Sequence, residues 1–242
     1  MQLSPGKLLG MKRLADQNGI FKMTATDQRP PIKNPIAKHL NVSEAPWGEV
    51  ARFKKMLIEN LQEHSTALLL DPHFAIPYSM NIFNPKKGLV VTLEDSIFLD
   101  TDGGRISQNI DNWSVSKIKR MGADAVKVLA WYRPDADKKV LEAQQQYVQK
   151  IGDECAKHDI LFLFELLVYP LSKDLYQTKE YVEMQNKKTD HVLESVREFS
   201  NEKYGVDVFK LESPVNVNKI ADSDLNAFKE MGNIAGRPWV ML

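Results

Sequence analysis

Hydrophobic and polar positions along this chain follow two alternating rhythms. Short runs such as TALLLD, LVVTLE and LFLFELLVY are apolar at almost every position, the pattern of strands buried on both faces. Between them, longer segments carry apolar residues three and four apart with charges in between, the pattern of helices that bury one stripe. Strands are predicted at 21–27, 66–71, 89–94, 125–132, 161–169, 207–213 and 238–242. Helices are predicted at 49–63, 114–121, 138–158, 179–201 and 222–231. One helix opens with the acidic turn DADKK and another closes with KRMG, which agrees with the helix dipole.

Strands alternating with helices, with no low-complexity linker, predict one parallel sheet in a single α/β domain over 1–242. An open doubly wound sheet and a closed (β/α)8 barrel both fit that rhythm. No GxGxxG or GxxxxGK[ST] follows any strand, so the phosphate loops of nucleotide-binding open sheets are missing, and a TIM barrel is favoured.

Four strands break their apolar pattern with a charge: Asp27, Lys127, Glu165 and Lys210. A buried ammonium or carboxylate is costly unless partnered, so each needs a reason. Period-2 geometry puts Lys127 on one face with Ala125 and Leu129, Glu165 with Leu163, and Lys210 with Val208 and Glu212. Two readings are open for each taken alone, a structural ion pair or a site. Taken together, two lysines and two carboxylates on four strands are the ingredients of an amine nucleophile with a proton-transfer partner, at the strand ends where barrels carry their chemistry.

Composition narrows the alternatives. The 242 residues carry 32 basic and 32 acidic groups, and Trp131, Tyr132 and Trp239 lie in no basic stripe, so a nucleic-acid partner has no support. No apolar run reaches membrane-spanning length and the first residues lack a signal-peptide core, which implies a cytoplasmic protein with no membrane partner. Cys155 alone permits no disulfide framework. The five histidines show no zinc-ligand spacing, so a metal-dependent aldolase is disfavoured. His73, in the loop after the second strand, reads as a hydrogen-bonded loop residue, and DTDGGR (100–105) reads as a hairpin or surface turn rather than a calcium loop.

The segments TDQRP, AVKVLAWYRPD, LFELLVYP and VFKLESPVN, in that order, resemble the class I tagatose 1,6-bisphosphate aldolase family and its sulfofructose 1-phosphate aldolase relatives. The resemblance runs from Gly19 to Leu242. It implies a (β/α)8 barrel, no metal or other cofactor, and a Schiff-base lysine at Lys210. It also implies a general acid/base at Glu165, site-lining roles for Lys127 and Asp27, and contact of Gln28 and Arg29 with a substrate phosphate. The partner implied is a sugar phosphate, and a homo-oligomer is compatible with it. Two departures stand out. Pro30 and Pro31 follow DQR where relatives have a small residue and a helical continuation, so the first loop is expected to differ. PWVML resembles the seventh strand, so these residues are expected to belong to a longer protein that completes the barrel.

The chemistry requires these residue types. Cleaving a carbon–carbon bond of a ketose phosphate leaves a carbanion, and a lysine iminium is the electron sink for it. That lysine must attack as the neutral amine, which burial and a neighbouring cation favour, with Lys127 the candidate neighbour. Glu165 would move the protons, desolvated by its sequence neighbours Phe164 and Leu166. The alternative is a barrel of aldolase descent without catalysis, serving as a sugar-phosphate sensor or structural subunit.

Overall fold

The computed structural model describes residues 3–171, 189–217 and 220–242. The main elements are helix α1 (Pro5–Leu14), strand β1 (Met23–Ala25), helices α2 (Pro30–Leu40) and α3 (Trp47–Leu61), strand β2 (Ala67–Leu70), the short helix α4 (Ala75–Ser79) and strand β3 (Gly88–Thr92). There follow β4 (Leu99–Thr101), β5 (Gly104–Ile106), α5 (Val115–Arg120), β6 (Ala125–Trp131), α6 (Lys138–Lys157), β7 (Leu161–Leu167), α7 (Thr189–Phe199), β8 (Val208–Leu211), α8 (Leu225–Ala235) and β9 (Trp239–Met241). Among the described residues seven strands form one parallel sheet in the order β1-β2-β3-β6-β7-β8-β9, while β4 and β5 make a separate antiparallel hairpin at the DTDGGR turn. All seven expected strands are present, each shorter by one to four residues, with β3 also starting one residue earlier at Gly88. The first ten residues of the helix expected at 179–201 lie outside the described residues.

The sheet curls. Asp27 beyond β1 meets Lys127 of β6 at 2.9 Å although two strands separate them in the sheet, and one cavity is lined by both Met23 of β1 and Val240 of β9. The result is a barrel open between β1 and β9. Alternate residues resolve which face is the interior. Val126, Val128, Phe162, Phe164, Phe209 and Leu211 pack outward in the core shared with the helices, whereas Ala125, Leu161, Leu163 and Val208 point inward. The inward set forms an apolar floor with Leu69 and Val90, closed from below by Leu14 of α1.

Among the elements that escaped the periodicity are α2 and α1. Pro30 and Pro31 do not stop a helix from following the DQR turn. They occupy the opening positions of α2, where a helix N–H has no partner to lose and a φ fixed near the helical value helps, so the helix continues straight from the DQR turn. The other, α1, has its N-terminal N–H groups capped from a distance: Asp159 accepts from the backbone of Gly6 at 2.9 Å and of Lys7 at 3.3 Å.

Candidate active site

The register of the sheet sets the site. Glu165 of β7 stands directly opposite Lys210 of β8, and Lys127 of β6 opposite Thr92 of β3 and Leu163 of β7. All three site residues point inward because they share faces with Ala125, Leu163 and Val208. They form a charged layer immediately above the apolar floor.

At its centre is the Lys127 ammonium, fully buried. Its Nζ lies 2.9 Å from Asp27 Oδ2, 2.6 Å from Glu94 Oε1 and 2.7 Å from Glu165 Oε2. The other oxygen of Glu165 lies 2.9 Å from Lys210 Nζ, so one carboxylate spans both lysines. Arg29 closes the ring from the β1–α2 turn: Nη1 donates to the Glu94 carbonyl at 3.1 Å and Nη2 sits 3.8 Å from Glu94 Oε1. Thr92 donates to the second Glu94 oxygen at 2.7 Å. Gln28 lies half-buried in the same turn.

Burial and charge act in opposite directions on the carboxylates. At Glu94 desolvation wins over the nearby Lys127 and Arg29, raising its pKa above the usual glutamate range. At Asp27 desolvation is also the largest influence, but Lys127, Lys210 and Arg29 together overcome it and hold the acid down at about 2. Glu165 is buried, as expected, but not by Phe164 and Leu166. Those neighbours alternate to the helix-facing side, and the carboxylate lies between two ammonium groups instead.

The two lysines differ in access. The Lys127 side chain is 0% exposed, whereas that of Lys210 is 14% exposed and lines a cavity of about 730 Å³ between β1 and β9, together with Ala25, Leu69 and Leu163. Above the charged layer the interior turns aromatic. Trp131 and Tyr169 follow Lys127 and Glu165 on the same faces, and the β4–β5 hairpin lays the Arg105 guanidinium 4.7 Å from the Trp131 ring, 5.1 Å from Tyr169 and 4.5 Å from Phe98. The charged layer thus lies between an apolar floor and an upper wall of aromatic rings gathered around Arg105.

Asp27, Arg29, Lys127, Glu165 and Lys210 are therefore brought together, with Gln28 beside them. Glu94 and Thr92 were missed, although Glu94 ends an apolar run in the same way as Asp27. His73 is exposed, its main-chain N–H donating to Asp71 and its carbonyl accepting from Trp47. Among the described residues no group of three or more His, Cys, Asp or Glu is placed to hold a metal ion, and no helix is long and apolar enough to cross a membrane.

An inward-facing layer of lysines and carboxylates, with Asp27 and Glu94 just past the C-terminal ends of β1 and β3, has the residue types that lysine-dependent aldol chemistry uses. Residues 21–241 match the model of the DeoC/LacD family aldolases, and the chain belongs to that family. It is 30% identical over 253 residues to a tagatose 1,6-diphosphate aldolase of Streptococcus mutans, covering 100% of this chain and 76% of that protein. It is 34% identical over 218 residues to tagatose 1,6-diphosphate aldolase 2 of Enterococcus faecalis, covering 90% of this chain and 64% of the relative. The chain thus spans about two thirds of the length of several curated relatives. An archaeal fructose 1,6-bisphosphate aldolase shares the fold, with a TM-score of 0.63 at 17% identity over 97% of this chain and 79% of that one. A Schiff-base-forming fructose-1,6-bisphosphate aldolase gives 0.61 at 16%, with the same coverage.

Proposed function

We propose that this protein is a class I aldolase that cleaves a phosphorylated ketose, such as tagatose 1,6-bisphosphate, to dihydroxyacetone phosphate and an aldehyde, with Lys210 as the Schiff-base nucleophile. The observation that carries this is the difference between the two lysines. Lys210 reaches open space, while Lys127 is enclosed by carboxylates and serves as their counter-ion.

The neutral Lys210 amine adds to the ketose carbonyl, and the carbinolamine loses water to give an iminium. Glu165, within hydrogen-bond reach of Lys210, first takes the ammonium proton that frees the amine and then gives it to the carbinolamine hydroxyl, which leaves as water. It then takes the proton of the hydroxyl at the bond to be broken. As that bond breaks, its electron pair enters the iminium to give an enamine and frees the aldehyde. Protonation of the enamine carbon and hydrolysis of the resulting iminium release dihydroxyacetone phosphate and restore the amine. Lys127 holds Asp27, Glu94 and Glu165 in register, and we assign contact with a substrate phosphate to Gln28 and Arg29 of the first turn. The relatives' names support a sugar-phosphate substrate. We take the enzyme to act in the cytoplasm without a metal or organic cofactor, and self-association is open to it.

Borohydride reduction with dihydroxyacetone phosphate present tests this. Peptide mapping should find the adduct on Lys210, and Lys210→Met should lose both labelling and cleavage. A label on Lys127, or cleavage surviving in Lys210→Met, would overturn the assignment.

A further inference from the structure

Lys54 lies outside the charged layer and has no part in the steps above, yet it is completely buried. It sits on the stripe of α3 that otherwise carries Val50, Ala51 and Ile58. Its ammonium reaches between the ends of β1 and β2. There it donates to the Thr26 carbonyl at 2.8 Å, forms an ion pair with Asp71, and lies 5.6 Å from the Phe74 ring centre. Asp71 is itself anchored, accepting from the backbone N–H groups of His73, Phe74 and Ala75 at 2.9, 2.8 and 3.3 Å. A methionine would fill such a place without the cost of desolvating an ammonium, a cost visible in the downward push that burial exerts on the Lys54 pKa.

The Thr26 carbonyl belongs to the peptide that leads into Asp27. β1 is three residues long and pairs only with β2 among the described residues, whereas β6 and β7 run for seven residues and are paired on both sides. The segment carrying Asp27 is thus the least braced of those that contribute to the charged layer, and its last sheet bond is Thr26 N–H to the Leu69 carbonyl at 2.9 Å. We propose that Lys54 is a positioning residue: by clamping the Thr26 carbonyl to the fixed Asp71, it sets the direction in which the chain turns and holds Asp27 against Lys127. Its kinetic consequence rests on the aldolase reading, and its geometric consequence does not.

The test crosses Lys54→Met with Asp27→Asn in the purified protein. Misplacement on the ångström scale predicts a fall in kcat of roughly 10- to 100-fold in Lys54→Met. In the Asp27→Asn background the same change should cost less than about 2-fold, because the carboxylate being positioned is already gone. Losses that multiply would mean that Lys54 only packs, and would overturn the proposal. Should Lys54→Met not fold, Asp71→Asn enters the same cycle, since it removes the ion pair and keeps an oxygen for the α4 N–H groups. A second readout needs no turnover: the 13C NMR titration of the Asp27 carboxyl, assigned by its loss in Asp27→Asn, should move upward in Asp71→Asn, where the clamp loosens while the Lys54 charge, which itself acts on Asp27, remains. An unmoved midpoint would overturn the proposal. If the wild type shows no aldol cleavage, the functional reading fails and the titration still decides the role of Lys54.

Discussion

Replacing Lys127 by methionine removes the cation around which three carboxylates are gathered while keeping most of the side-chain volume. The three oxygens each lie within 2.9 Å of the ammonium. Once it is gone, any two of them face each other across about 6 Å or less, where like charges repel by about 3 kcal/mol at an effective dielectric constant of about 20. That repulsion exceeds the ~1.4 kcal/mol per pH unit needed to load a proton, so one carboxylate of the variant takes up a proton near neutrality. This relief limits the damage to the ~3–5 kcal/mol typical of a broken buried pair, or a fall in Tm of about 6–20 °C for a chain of this size. The sign of the pH dependence follows. The variant's carboxyl has a folded pKa raised above its unfolded value, so its folded state binds the extra proton and loses stability as pH rises. Urea melts of wild type and Lys127→Met should therefore differ most at pH 8, and the gap should narrow toward pH 6 by about 1.4 kcal/mol per pH unit while that proton is bound. A deficit equal at both pH values, or no deficit, would refute the view that Lys127 is the counter-ion of this layer.

Asp27, held at about 2 and so well below the usual aspartate range, contributes stability that is present above pH 4 and lost as pH falls through 2. The advantage of wild type over Asp27→Asn should thus shrink by about 2 kcal/mol across that window in acid denaturation. Glu165→Gln should slow cleavage by roughly 10²–10⁴-fold, while slow borohydride trapping at Lys210 persists in mass spectra; cleavage at the wild-type rate would remove Glu165 from proton transfer. At Gly152 an added methyl carbon would come within 2.0 Å of the Tyr204 carbonyl oxygen, which is backbone and cannot swing away. Gly152→Ala should cost about 1–3 kcal/mol by urea melt, and an unchanged midpoint would show that α6 can shift freely.

Much of the site was legible because charge inside an apolar strand has few explanations. Lys127, Glu165 and Lys210 stood out for that reason, and the parallel register then placed Glu165 opposite Lys210. The face was not legible, since both sides of these strands are apolar, and alternation alone left open whether Glu165 and Leu163 faced the interior or the helices. Glu94 was hidden by its position at the end of LVVTLE, where a polar residue also marks an ordinary strand end. Lys54 left a signal that was overlooked: with Val50 and Ile58 it falls on one helical stripe at four-residue spacing, in a place where an apolar residue belongs. α2 was obscured by Pro30, Pro31 and Pro35, of which the first two favour a helix start and the third breaks its ladder.

The floor of the barrel carries a consequence for how the protein is made. α1 leaves the ribosome before the other described elements, but the groups that hold it come late: its N–H groups wait for Asp159, and Lys7 pairs at 2.7 Å with Asp207. At about 5–20 residues per second, the two hundred residues between Lys7 and Asp207 take about 10–40 s to synthesise. Throughout that interval Leu14 has no complete floor to enter, since Leu161 and Val208 are not yet made when the helix emerges. α1, made before the rest of the described barrel, is therefore among the last of its elements to be secured, and a nascent chain halted before residue 207 should leave it open to proteases that the finished protein resists.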